Sequence, residues 1–132
     1  MCLKAFFKTY KVMVKTTYDK VDVLIAVGAT AFSKAIDLTR GTCKGVKFIP
    51  FPDAATRDHA IDISVTSNDG TKILGKTDYR DFAHAGGSYR DSFKPCNFDT
   101  KAQIKTDVLA DKVIATANFV GQLIFLIEED CN

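Results

Sequence analysis

The chain has 132 residues, enough for one domain with a core that needs no disulfide or metal staples. Hydrophobic residues make up 46% and charged residues 26%, which excludes wholesale disorder, and ten Phe without a single Trp point to a core filled with aromatic bulk. The net charge of +2, from 18 Lys and Arg against 16 Asp and Glu, is too weak a field to gather nucleic acid or an anionic membrane, so neither is expected as a partner.

Lys4, Lys8, Lys11 and Lys15 recur at helical spacing, as in a basic helix lying on a membrane. Tyr10, Val12 and Val14 alternate instead with Lys11, Met13 and Lys15, and the aromatic and β-branched content predicts a strand with its cations toward solvent. Val21–Val27 predicts a second strand, with Val21, Val23 and Ile25 on one face and Gly28 ending it. Thr30–Gly41 reads either as a helix capped by Thr30 or as a strand with Phe32, Ile36 and Leu38 on one face; its strand neighbours favour the strand. Gly45–Ile49 is the next strand, stopped by Pro50 and Pro52, and Asp53–His59 is a polar connection with room for a helical turn at Asp53.

Ala60–Lys76 carries the clearest hairpin signal. Ile61, Ile63 and Val65 alternate with Asp62, Ser64 and Thr66 ahead of the turn residues Asn68-Asp69-Gly70. A three-residue loop with Gly70 in the left-handed region is expected, which sets Val65 opposite Ile73; a two-residue loop would set Val65 opposite Leu74. Phe93–Phe98 is a short extended piece, Gln103–Val108 a strand with Ile104 and Val108 inward, and Val113–Asn118 a further candidate strand. In Phe119–Glu128, Leu123, Phe125 and Ile127 face one way while Ile124 and Leu126 face the other. A strand apolar on both faces needs cover on both, so Ile124 and Leu126 are expected under a partner subunit or under a loop of the same chain. About eight short strands with at most one short helix predict a single all-β domain over residues 1–132, an antiparallel β-sandwich with jelly-roll topology favoured over other orders.

The cysteines at 2, 43, 96 and 131 show no close pairing of the kind zinc sites use, and no apolar leader follows Met1, so reduced thiols in a cytosol are expected. His59 and His84 are the only histidines, without a nucleophile motif around either, so no catalytic residue is assigned. Asp53, Asp58, His59 and Asp62 crowd together but lack calcium-loop spacing, so neither a metal nor a cofactor is expected. The segment most suited to recognition repeats Tyr-Arg-Asp around a glycine-rich centre, as Tyr79, Arg80, Asp81 and Tyr89, Arg90, Asp91. Tyr and Arg are common interface anchors, the same groups can stack on and hydrogen-bond to a sugar, and each Arg-Asp can also pair locally while Tyr covers the core edge.

The succession Lys47-Phe48-Ile49-Pro50-Phe51-Pro52-Asp53, then Ile61–Thr66 with its Asn-Asp-Gly turn, then Gly87–Pro95, resembles small β-sandwich virion proteins of tailed bacteriophages. The resemblance transfers no functional residue. It implies a non-enzymatic subunit, assembled in a host cytoplasm, that binds copies of itself and other capsid or head-decoration proteins. A carbohydrate-binding module using the Tyr79–Asp91 loop is the alternative expectation.

Overall fold

The computed structural model describes residues 15–50, 60–82, 92–114 and 118–129. These form eight strands: β1 (Thr16–Ile25), β2 (Ala31–Ile36), β3 (Gly41–Pro50), β4 (Ile61–Ser67), β5 (Lys72–Asp78), β6 (Lys94–Asp99), β7 (Ile104–Ala110) and β8 (Phe119–Glu129). A one-turn 3-10 helix, Tyr79–Phe82, follows β5. One sheet runs β1-β8-β3-β6 and the other β2-β7-β4-β5, all antiparallel. The first strand thus pairs with the last, the second with the seventh, the third with the sixth and the fourth with the fifth. That nesting is a jelly roll, a single long hairpin rolled into two sheets.

Each sheet turns one apolar face inward. Val21, Val23 and Ile25 of β1 alternate with solvent-facing Lys20, Asp22 and Leu24, and Ile61, Ile63 and Val65 do the same on β4. On β7, Ile104 and Val108 lie inward as their spacing predicts; Thr106 lies between them, fully buried, and its hydroxyl donates to the Lys34 carbonyl. Phe48 of β3 and Phe119 of β8, two of the largest core side chains, stack with ring centroids 5.5 Å apart. Room for the Phe48 ring comes from Gly121: a Cβ there would lie 2.2 Å from Phe48 Cζ and 2.8 Å from the Ile49 carbonyl oxygen.

Residues 31–36 are a strand, with Phe32 and Ile36 turned toward the core and Leu38 buried just beyond it. The third strand starts earlier than its apolar run suggests, at Gly41, because Lys44 is the extra residue of a bulge against β8. The bulge resets the alternation, so Cys43, Val46 and Phe48 all face the core.

The β4–β5 hairpin has the expected three-residue loop. Ser67 N–H donates to the Thr71 carbonyl, Gly70 N–H to that of Ser67, and Gly70 has φ of +92°. The expected pairing of Val65 with Ile73 is corrected. Thr66 opposes Lys72, but the register then slips by one and Val65 opposes Leu74. The slip lets Ile73 and Leu74 both pack against the core, which a strict alternation forbids. Asp69 ties the turn together, accepting from the Ser67 hydroxyl and from Thr71 N–H at 2.9 Å. These donors, the Ser67 hydroxyl foremost, hold its carboxyl down at about 2. A carboxyl depressed on folding contributes stability that is complete above its ordinary pKa of 3.8 and is lost as pH falls toward 2. Asp69→Asn is therefore expected to flatten the acid limb of a pH–stability curve over that window, and an unchanged limb would refute the assignment.

The strand expected over Val113–Asn118 is corrected at its described residues, positions 115–117 lying outside them. Val113, Ile114 and Asn118 are outside any ladder, and Ile114 is fully buried. Its N–H donates to the Ala29 carbonyl at 3.1 Å and its carbonyl accepts from Gly28 N–H at 2.8 Å, so the backbone is committed to the β1–β2 connection. The Asn118 side chain does the same, accepting from Val27 N–H. Asp111 N–H reaches the Ala60 carbonyl, which brings the start of β4 to this same end of the sandwich. The expected N-terminal strand around Tyr10–Val14 and the helical turn at Asp53 lie outside the described residues.

Candidate functional site

The first Tyr-Arg-Asp triplet opens the 3-10 turn, and its three side chains go to three different places. Tyr79 is only 7% exposed and packs edge-on against Phe48 and Phe119, with centroid distances of 5.8 and 5.5 Å. Its ring is core, with neither face free to stack on a sugar. Arg80 reaches back to Asp78 rather than forward to Asp81: Nε donates to Oδ1 at 2.8 Å and Nη2 to Oδ2 at 3.0 Å. The Arg80 backbone N–H donates to the same carboxylate at 2.9 Å. The Arg80 guanidinium holds the Asp78 carboxyl below the usual carboxylate range, and the pair stands in solvent, so its value to stability is small. Asp81 pairs with Lys94, whose ammonium lies 5.5 Å from the Phe82 ring centroid. Tyr89, Arg90 and Asp91 lie outside the described residues, as do His59, His84, Asp53 and Asp58.

The segment returns to the sandwich at Ser92 and Phe93, both buried. Phe93 packs with Ile124 and Leu126, with Ile49 against them, in a second apolar cluster on the outer face of the β1-β8-β3-β6 sheet. Gly45 makes the seat: a Cβ there would lie 2.7 Å from Phe93 Cβ. The Tyr18 ring lies 5.8 Å from that of Phe93, the Lys47 ammonium lies 5.8 Å from the Phe93 centroid, and the same ammonium donates to the Ser92 hydroxyl at 2.5 Å. Ile124 and Leu126 are 2% and 3% exposed. Of the two covers expected for this strand face, the described residues supply the one from the same chain. The segment between β5 and β6 therefore begins against Phe119 inside the sandwich and ends against Ile124 and Leu126 outside it. Both of its described ends rest on β8.

A cleft of about 700 Å³ opens elsewhere, between β1, an edge strand among the described residues, and the β2–β3 connection. Val21, Ile36 and Leu38 supply its apolar lining and Asp19, Asp22, Asp37, Lys20 and Lys34 its charges. Asp19 shapes it, accepting from Thr39 N–H at 2.6 Å and from the Thr39 hydroxyl at 3.0 Å. Asp22 and Asp37 accept from Gln122 and Gln103. These contacts tie all three carboxylates of the lining to neighbouring residues, and the lining includes no Ser, Cys or His. Sequence reading missed this cleft because its lining comes from two strand edges whose juxtaposition depends on the roll. The one local signal was the crowding of Asp19, Lys20 and Asp22 on a strand that otherwise alternates apolar inward.

Among the described residues, no group of three or more His, Cys, Asp or Glu is placed to hold a metal ion. Comparison with protein-family models and with curated proteins finds no match.

Proposed function

We propose that this chain is a non-enzymatic assembly protein, a capsid-associated or decoration component of a virion that oligomerises and binds neighbouring virion proteins. The observation that carries the reading is the jelly-roll strand order, complete in eight strands of a short chain. Viral capsid domains use this architecture, and so do lectins and cupins, so the fold supports assembly by analogy and leaves sugar binding beside it. Burial of Tyr79 weighs against the sugar reading, because it removes one of the two aromatic platforms that reading needs.

A second observation gives assembly a surface. Leu24, Val27 and Val113 are 49%, 48% and 51% exposed, and they gather where the β1–β2 and β7–β8 connections lie side by side. Leu109, also exposed, precedes Ala110, whose N–H bonds the Thr30 carbonyl at the same end. Apolar side chains gathered at one end of a sandwich suit contact between subunits arranged around that end. Sedimentation velocity is the test. The wild-type chain is expected to sediment as an oligomer, and Val27→Asp with Val113→Asp to weaken association at least about tenfold while leaving the circular dichroism spectrum unchanged. A strict monomer at high concentration would overturn the proposal.

A further inference from the structure

Cys43 and Cys96 are free thiols on neighbouring strands of one sheet, with their sulfurs 3.7 Å apart. Cys43 lies on β3 beside the Lys44 bulge and is fully buried. The bulge sets Cys43 opposite Phe98 and Gly45 opposite Pro95, so Cys96 lies diagonally across from Cys43 on the inner face of β6. A disulfide needs about 2.05 Å between sulfurs, so the two have to approach by about 1.7 Å from the 3.7 Å at which they stand. Among the described residues strand β6 pairs only with β3 and is an edge, and its half-buried Cys96 is within reach of a small oxidant from solvent.

We propose that Cys43 and Cys96 form an oxidisable dithiol, in which Cys96 meets a peroxide and Cys43 resolves the product into a disulfide that staples edge strand β6 to β3. In the first step the Cys96 thiolate attacks a peroxide oxygen. The O–O bond breaks, the sulfur becomes a sulfenic acid, and hydroxide leaves with the bonding pair. In the second step the Cys43 sulfur attacks the sulfenic sulfur. Its proton leaves with the displaced hydroxyl as water, and the S–S bond is formed; the peroxide is reduced and the two thiols oxidised.

The division of roles follows from surroundings. The contact with the Cys43 sulfur, in which either atom can donate, lowers the Cys96 thiol toward the thiolate, and the cationic Lys44 and Lys94 add to that preference. Cys43 has no such support. Its hydrogen-bonded, buried position favours the neutral thiol, with Sγ 3.4 Å from the Gly45 carbonyl oxygen. An accessible thiolate beside a buried resolving thiol is the arrangement that peroxide-sensitive pairs use.

The test uses the full chain carrying Cys2→Ser and Cys131→Ser, so that only this pair remains. Brief treatment with hydrogen peroxide is expected to remove two hydrogens from the intact mass and to yield a Cys43–Cys96 linked peptide that dithiothreitol separates. The thermal midpoint is expected to rise by about 5–15 °C on oxidation. Adding Cys43→Ser should stop the reaction at a Cys96 sulfenic acid captured by dimedone. Adding Cys96→Ser should leave Cys43 reduced. Should the Cys43 variant fail to fold, differential alkylation of the wild-type chain decides: Cys43 and Cys96 must lose reactivity together. Oxidation of one alone, or full alkylation of both after peroxide, would overturn the proposal.

Discussion

Replacing Phe48 by alanine is expected to lower stability by about 3–5 kcal/mol, the range for truncating a buried aromatic side chain. The position has no slack. Its ring is fully buried, stacks on Phe119 at an interplanar angle of 12°, and meets the edge of Tyr79 at 78°. The missing Cβ of Gly121 already leaves space beside it that only this ring fills. Truncation therefore leaves a void lined by Phe119, Tyr79 and a glycine, none of which can extend into it. Domains of this size hold about 5–15 kcal/mol in total, so the variant is expected to sit near the folding threshold. Urea unfolding followed by circular dichroism measures the loss, and Tyr79 near-ultraviolet dichroism reports whether the cluster loosens first. A loss below about 1 kcal/mol would contradict the packing described.

Replacing Phe93 by alanine is expected to cost about 3 kcal/mol, at the lower end of the same range because its neighbours on the outer face can settle toward solvent. The consequence is different in kind. Removing the ring uncovers Ile124 and Leu126 on a strand that has no polar residue at either position, and it removes the surface that the Lys47 ammonium lies over. Phe93→Ala is thus expected to bind the dye ANS and to self-associate non-specifically, whereas Phe93→Leu keeps the cover and most of the stability. Wild-type behaviour of the alanine variant in both assays would mean that something other than Phe93 closes this face.

Much of the sandwich was legible in local pattern. The alternation of Val21, Val23 and Ile25, of Ile61, Ile63 and Val65, and the doubly apolar run of β8 each located a strand and its inner face. The Asn68-Asp69-Gly70 loop was legible because one backbone conformation, at Gly70, nearly dictates it. Strand order was not legible, since the roll pairs Thr16 with Glu128 and Ala31 with Leu109, and no local propensity links residues so far apart.

The same distance explains the candidate site. Tyr79 among Arg and Asp has the look of a recognition residue, and what makes it core is Phe119, two strands and three connections away. Arg80 has carboxylates at two and one residues on either side, and composition cannot say that Asp78 takes it while Asp81 goes to Lys94. The irregular register of β3 did leave a trace: Cys43, Val46 and Phe48 break the two-residue period by one, which is the mark of a bulge.

Around Ile124 and Leu126, β8 is covered on both faces by residues of the same chain, so the assembly proposed above would use the end of the sandwich rather than that face. The most direct test is the thermal midpoint of Leu126→Ala against wild type, measured over a wide range of protein concentration. A residue buried within the chain lowers the midpoint by the same amount at every concentration, whereas one buried between subunits gives a difference that changes with mass action. A constant difference is predicted. A difference that widens or narrows systematically with dilution would place Leu126 in an interface and contradict the account.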